Sequence, residues 1–167
     1  MEEYLNDLLA RYKSKGVVID TNLLLLYFVG MYDPHRIPKF KRTVTFAVED
    51  FHTLLGFFNY FDKVVTTPNI LTEVNSLAGQ LPGDVKVVFN LVFAERMGGV
   101  EEHFKGSATL AQLPHFSKFG LTDSGIADLA QGRYLVLTDD LPLFGYLQNL
   151  GIDAINFNHI RTMNWNP

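Results

Sequence analysis

Hydrophobic residues along the chain follow two different spacings, and each spacing predicts a different kind of element. Four short runs rich in β-branched residues predict buried strands: 17–19, 64–67, 134–138 and 152–157. Segments with helical spacing, or with the residues that start and end helices, predict helices: 2–13, 23–32, 46–61, 68–78, 82–96, 122–130 and 141–150. Because strands and helices alternate, we expect an α/β fold with a central parallel sheet and helices on both faces.

Two segments interrupt this alternation. Residues 33–45 contain two prolines and a basic cluster, Arg36 to Arg42, with Phe40 inside it. This cluster could bind a phosphate backbone, or it could be an ordinary solvated loop. Residues 100–121 are irregular, apart from one short helix predicted near 108–113.

The first predicted strand ends in an unusual way. Val17, Val18 and Ile19 are followed directly by Asp20, Thr21 and Asn22, and then by an apolar helix. Ligands of open α/β sheets bind at the carboxyl ends of the strands, which is where Asp20 is expected to lie. Asp20 is also a favourable N-cap residue for the following helix, and one side chain can serve both purposes.

Composition narrows the class of protein. The chain has 167 residues, a net charge of −4 and no cysteine, which excludes disulfides and cysteine-based zinc sites. We expect a single domain over residues 1–167, with its core at about 16–157 and a C-terminal tail at 158–167. The acidic amino terminus is unlike a signal peptide, and no apolar run is long enough to cross a membrane. We therefore expect a cytoplasmic protein without a membrane segment.

Three further acids are candidates for the same site as Asp20. Asp140 also follows a predicted strand. Glu73 lies at the edge of the apolar stripe of its helix, where it should be partly desolvated; alternatively, it is a boundary residue whose carboxylate reaches water. Asp123 lies on the apolar face of its helix, whereas Asp128 points away from that face. Alternatively, Asp123 is a first-turn acid that stabilises the helix dipole, with Thr122 as the cap.

Four converging acids would repel one another and raise each other's pKa values. Mg²⁺ or Mn²⁺, which prefer oxygen ligands, would relieve this repulsion and could activate water for attack on phosphorus. Asn22 and Thr138 lie near the same edge and could orient the acids or a water. The five histidines show no close metal-ligand spacing, and no phosphate-binding glycine motif or nucleophile elbow is present.

Four motifs occur in the order found in the PIN-domain ribonucleases, and the chain resembles that family: Val-Ile-Asp-Thr-Asn at 18–22, Ile-Leu-Thr-Glu-Val at 70–74, Thr-Asp-Ser-Gly-Ile-Ala at 122–127 and Leu-Thr-Asp-Asp at 137–140. The resemblance implies a three-layer α/β/α PIN-like domain that cleaves RNA with Mg²⁺ or Mn²⁺. The family's functional positions correspond to six residues here: Asp20, Asn22, Glu73, Asp123, Thr138 and Asp140. Asp139 is a possible substitute for Asp140. Compared with the compact toxins of this family, the chain has additional residues at about 33–45 and 98–120.

We therefore expect a metal-dependent endoribonuclease, and the resemblance adds the possibility of a toxin from a toxin–antitoxin pair. One alternative is a non-catalytic module of the same fold that binds RNA or protein. Another is a phosphatase or phospho-acceptor domain with Asp20 as nucleophile, although no lysine follows a strand in a suitable place. The apolar segment Leu23 to Met31 further suggests a homodimer, or a groove for an antitoxin helix.

Overall fold

The structure is a computed structural model that describes residues 2–161. Its strands are β1 Val17–Ile19, β2 Val64–Thr66, β3 Val100–Glu102, β4 Leu135–Thr138 and β5 Ala154–Asn156. Its helices are α1 Glu2–Tyr12, α2 Thr21–Tyr32, α3 Val48–Tyr60, α4 Pro68–Ala78, α5 Gly83–Met97, α6 Ser107–Leu110, α7 Phe116–Ala130, α8 Leu141–Asn149 and α9 Phe157–Arg161, and a 3₁₀ helix spans Pro34–Lys39. Among these residues, no helix is both long and apolar enough to span a bilayer.

The five strands form one parallel sheet in the order β3-β2-β1-β4-β5, and helices cover it. This confirms the predicted three-layer α/β/α architecture. The chain moves outward from β1 through β2 to β3, and then crosses back to β4 on the other side of β1. The connections that leave β1 and β4 therefore diverge, which creates a crevice between the carboxyl ends of these two strands.

Helix α2 lies inside the domain, and this position explains why it is apolar on all sides. Residues 23–30 are all buried, and α2 packs against α3, α4, α5 and the 3₁₀ helix. A helix that is apolar on all sides is expected where neighbours cover it on all sides. The apolar surface of Leu23 to Met31 is thus covered by the chain's own elements, and it does not require a second subunit.

The main differences from the expected fold lie in residues 98–121. Strand β3 was not predicted, because two of its three residues are glutamates and it lies at the edge of the sheet, where charged residues are common. The expected short helix is α6, which begins at Ser107. Helix α7 spans Phe116–Ala130 but is broken at Gly120, where the backbone is non-helical and φ is +71°. The part after Gly120 confirms the predicted helix at 122–130, whereas the helical turn before Gly120 was not predicted.

The first residues of the predicted tail at 158–167 are helical. Helix α9 continues to Arg161, whose guanidinium makes two contacts with the Asp50 carboxylate, at 2.9 Å from Nε and 2.8 Å from Nη2. Arg161 also donates a hydrogen bond to the Thr45 carbonyl at 2.9 Å. These bonds fasten the end of the described chain to the start of α3. The rest of the predicted tail, residues 162–167, lies outside the described residues.

Candidate metal centre at the carboxyl edge of the sheet

Asp20 leaves β1 at the crevice and is buried, with 5% of its surface exposed. One carboxylate oxygen accepts the Leu23 N–H at 3.1 Å and caps α2. The other oxygen accepts the Thr138 hydroxyl and, at 3.2 Å, the Asp139 N–H. Asp20 is therefore both a helix cap and a strand-end acid, and the two interpretations of this residue are compatible.

The electrostatic environment of Asp20 is unfavourable to its charge. Burial raises the pKa of Asp20, and the neighbouring Asp139 carboxylate raises that pKa further. The hydrogen bonds from Thr138, Leu23 and Asp139 oppose this rise but do not cancel it. A buried acid beside a second acid gains most from a bound cation.

Asp139 is the acid that interacts directly with Asp20. Its side chain is half-buried and accepts a hydrogen bond from Asn22 Nδ2 at 3.3 Å. Burial raises the pKa of Asp139, while the bond from Asn22 lowers it. Asn158 holds the Asp139 carbonyl at 2.9 Å. Sequence reasoning named Asp139 only as a substitute and missed Asn158, because nothing in the pattern placed α9 at this edge.

Asp140 is exposed, and its carboxylate caps α8 by accepting the Leu143 N–H at 2.7 Å. Its own N–H donates to the Thr138 hydroxyl oxygen at 3.0 Å. Thr138 is fully buried, and its hydroxyl group donates to the Asp20 carboxylate while it accepts from the Asp140 N–H. This arrangement gives Thr138 the orienting position that was expected of it.

Asp123 lies on α7, half-buried, and no hydrogen bond to its carboxylate occurs within residues 2–161. Burial raises its pKa from 3.8 to about 6, and Asp140 and Glu73 add to the rise. Glu73 is exposed, so the expectation that it is partly desolvated is wrong. The Glu73 carboxylate reaches the site from α4 and accepts a hydrogen bond from the buried Thr21 hydroxyl at 3.2 Å. Sequence reasoning did not single out Thr21 for this contact.

The five acids thus occupy one edge of the sheet in two groups. Asp20 and Asp139 form the first group, and Asp123, Asp140 and Glu73 form the second. Within the described range, no three acidic or histidine side chains form a ready-made metal site. The oxygen donors, together with the raised pKa values of Asp20, Asp123 and Asp139, nevertheless fit a hard divalent cation, because such a cation offsets the repulsion between neighbouring carboxylates. Asp20, Asp123, Asp139 and Asp140 are the residues that would hold it, with Glu73 at the margin.

Two other predicted features lie elsewhere. Asp128 was expected to face outward; it is half-buried and pairs with Lys105. The basic cluster at 36–42 follows the far end of α2, about 18 Å along the helix from Asp20 at 1.5 Å per residue. The cluster packs beside residues 80–82, which follow α4, and Arg42 Nε donates a hydrogen bond to Gln80 Oε1 at 3.0 Å.

Comparison of the sequence with models of known families and with curated proteins finds no match.

Proposed function

We propose that this protein is a PIN-like, metal-dependent endoribonuclease that hydrolyses phosphodiester bonds of RNA. The observation that carries the proposal is the crowding of carboxylates at the β1–β4 crevice, where burial and neighbouring acids raise the pKa values of Asp20 and Asp123. The four motifs shared with the PIN ribonucleases support RNA as the substrate class. A crevice edged by acids repels a phosphate unless a cation is present, so the cofactor belongs to the proposal.

The roles of the residues follow from their contacts. Asp20 is fixed by three donors and would present its charge in one orientation. Asn22 holds Asp139 beside it, and Thr138 couples Asp20 to the segment that carries Asp140. Asp123 approaches from α7 and Glu73 from α4. Mg²⁺ or Mn²⁺ bound here would activate a water and stabilise the charge that develops on the phosphate. The scheme needs no covalent intermediate and no histidine base.

Cleavage of a labelled single-stranded RNA tests the proposal. We expect cleavage with Mn²⁺ or Mg²⁺, none with chelator, and a loss of about 100-fold or more in Asp20→Asn and Asp123→Asn. Asparagine remains a good N-cap, so Asp20→Asn should fold. The exposed Glu95 on α5 gives the control variant Glu95→Gln, which should retain full activity. A loss of less than tenfold in Asp20→Asn, or cleavage that persists in chelator, would contradict the proposal.

The second candidate is a non-catalytic module that binds RNA or protein. Two of the acids have structural roles that need no metal, which favours this candidate: Asp20 caps α2 and Asp140 caps α8. Metal-independent RNA binding without cleavage, from a folded sample, would support it. The phospho-acceptor alternative, with Asp20 as nucleophile, is favoured by no observation beyond the position of Asp20 at the end of β1.

The proposal includes a cytoplasmic location and a protein partner. A cytoplasmic toxin would meet an antitoxin or a second copy of itself, and α5 offers the exposed aliphatic residues Val87, Val88 and Leu91 on one face. Sedimentation of the purified protein at micromolar concentration should give a homodimer, and Leu91→Glu should dissociate it. A monomeric wild-type protein would rule out the homodimer and leave only the antitoxin to be sought.

A further inference from the structure

The unpredicted strand β3 brings an exposed aromatic residue to the carboxyl edge of the sheet. Thr66 of β2 pairs with Glu102 of β3, and both strands run in the same direction as β1. Residues 103–105, which follow β3, therefore emerge at the edge that holds Asp20. The Phe104 side chain is 82% exposed, more than any other large hydrophobic residue of the described range. The Phe104 ring is therefore open to a ligand at the edge of the sheet that carries the acids.

Phe104 and Lys105 stand between two clefts. The first cleft, of about 460 Å³, lies between α4 and α7 and includes Glu73 in its wall, so it is continuous with the carboxylate site. Apart from Glu73 and Lys105, the polar wall of this cleft carries uncharged donors and acceptors: Asn69, Thr72, Ser76, Ser107 and Thr122. The second cleft, of about 290 Å³, lies on the other side of the same two residues. The larger cleft is within the size range of small-ligand pockets.

The second cleft has more cations than anions in its wall. Lys105 pairs with Asp128, and Arg133 donates to the Asp128 carbonyl oxygen at 3.2 Å. All three residues line the second cleft, which therefore holds two cations and one carboxylate. Since the pair between Lys105 and Asp128 is open to solvent, a phosphate could take the place of Asp128 as the partner of Lys105.

An exposed aromatic face beside a lysine is the combination that binds single-stranded nucleic acid. The ring stacks on an unpaired base, and the cation neutralises the backbone. A duplex cannot offer a base face in this way, since its bases are already stacked and paired. The uncharged wall between Phe104 and Glu73 is suited to the sugar and base edges of the intervening nucleotide.

We propose that the cleft between α4 and α7 binds single-stranded RNA, with an unpaired base stacked on Phe104 and an adjacent phosphate at Lys105. The inference rests on the proposed ribonuclease function and specifies its substrate: an unpaired strand, held on the Glu73 side of the carboxylate site. Phe104 is a positioning residue, because it contacts a base near the reaction and none of the reacting atoms.

Binding is tested separately from cleavage. Labelled single-stranded RNA is titrated in Mg²⁺ with Asp20→Asn protein, in which the proposed hydrolysis is blocked. We expect Phe104→Ala to raise Kd about tenfold and Phe104→Tyr to leave it within about twofold, because tyrosine also stacks. Tyr4→Ala is the matched control: Tyr4 is an aromatic residue that is 64% exposed, lies on α1 and should not alter Kd. A duplex of the same sequence should bind much more weakly than the single strand.

A spectroscopic signature identifies stacking itself. Trp165 is the only tryptophan in the sequence, so Phe104→Trp combined with Trp165→Phe places one fluorophore at the cleft. The fluorescence of this double variant should be quenched by single-stranded RNA and remain unchanged with the duplex. Unchanged fluorescence with the single strand, or an unchanged Kd in Phe104→Ala, would overturn the inference.

The cleavage assay separates this inference from the proposed function. If the protein cleaves RNA, Phe104→Ala should raise KM about tenfold and leave kcat within about threefold. Cleavage with an unchanged KM in Phe104→Ala would refute the role of Phe104 and leave the ribonuclease intact. Quenching of the double variant's fluorescence by single-stranded RNA, without cleavage by the wild-type protein, would refute the ribonuclease and support the single-strand cleft.

Discussion

Asp123 has the least support of the candidate acids from the protein around it. Its carboxylate is half-buried, it receives no hydrogen bond within residues 2–161, and it is repelled by Asp140 and Glu73. By contrast, Asp20 has three donors and Asp140 caps a helix. An acid kept in such a place costs stability unless a cation meets it, which is typical of functional rather than structural residues.

We therefore predict that Asp123→Asn stabilises the metal-free protein while it abolishes activity. The pKa of Asp123 is raised from 3.8 to about 6 on folding, so the folded state holds this proton more tightly than the unfolded chain. The free energy of unfolding should fall as the pH rises through this interval. Because the site is partly open to solvent, we expect the variant to gain only about 1 kcal/mol at neutral pH.

Urea denaturation in chelator, at about pH 4 and about pH 7, measures this effect. The gain in Asp123→Asn should be present at the higher pH and nearly absent at the lower one, and Glu95→Gln should show no such pattern. A variant that is less stable than the wild type at neutral pH would mean that the Asp123 carboxylate has a structural partner.

At the scale of single residues, sequence patterns predict which acids share the carboxyl edge but not how these acids contact one another. Asp20 and Asp140 were found because they follow buried strands, and helical spacing found Asp123. Helical spacing could not give the exposure of Glu73, because that depends on how far α4 is covered. The direct pairing of Asp139 with Asp20 depends on the twist of the chain after β4, which a doublet of aspartates does not encode.

At the scale of elements, the packing of α2 against α3 depends on Gly30. A Cβ atom at this position would lie 2.2 to 2.5 Å from ring atoms of Phe51, so the missing side chain makes room for the ring. Gly30 lies in the helix interior, where glycine is otherwise unfavourable. The close contact explains why it is tolerated there.

We predict that Gly30→Ala lowers the free energy of unfolding by about 2 kcal/mol, because α2 and α3 must move apart. Gly145 in α8 is the matched control, since a Cβ there would meet nothing within 4 Å. Gly145→Ala should raise stability by about 0.5 kcal/mol through its helix propensity. Adding Phe51→Leu to Gly30→Ala should recover part of the loss, and urea unfolding of the wild type and these three variants measures the differences. A neutral Gly30→Ala would show that the interface is loosely packed.

A strand can be predicted from the sequence when it is buried, because its residues are then mostly apolar. Strands β1, β2 and β4 are buried along their whole length and carry β-branched or aliphatic runs, so the pattern reveals them. Strand β3 has its glutamates exposed and takes its position from pairing with β2, which no local pattern records. The position of residues 103–105 also depends on the pairing of β3 with β2, so the sequence does not predict the proposed cleft.

At the scale of the whole molecule, the order of the strands determines where function can lie. The crossing from β3 back to β4 opens the crevice beside β1, and all five acids approach it from β1, β4, α4 and α7. The basic cluster at 36–42 lies beside residues 80–82, and none of its cations pairs with these acids within residues 2–161. Single-strand binding is instead expected at Phe104 and Lys105, on the acidic edge.

A divalent cation at the carboxyl edge is required by every role proposed for the acids, and calorimetric titration of chelator-treated protein with Mn²⁺ tests it most directly. We predict saturable binding to the wild-type protein, weakened at least about tenfold in Asp20→Asn and in Asp123→Asn, and unchanged in Glu95→Gln. Absence of binding to the folded wild-type protein, or equal binding to all four proteins, would contradict the proposed metal site.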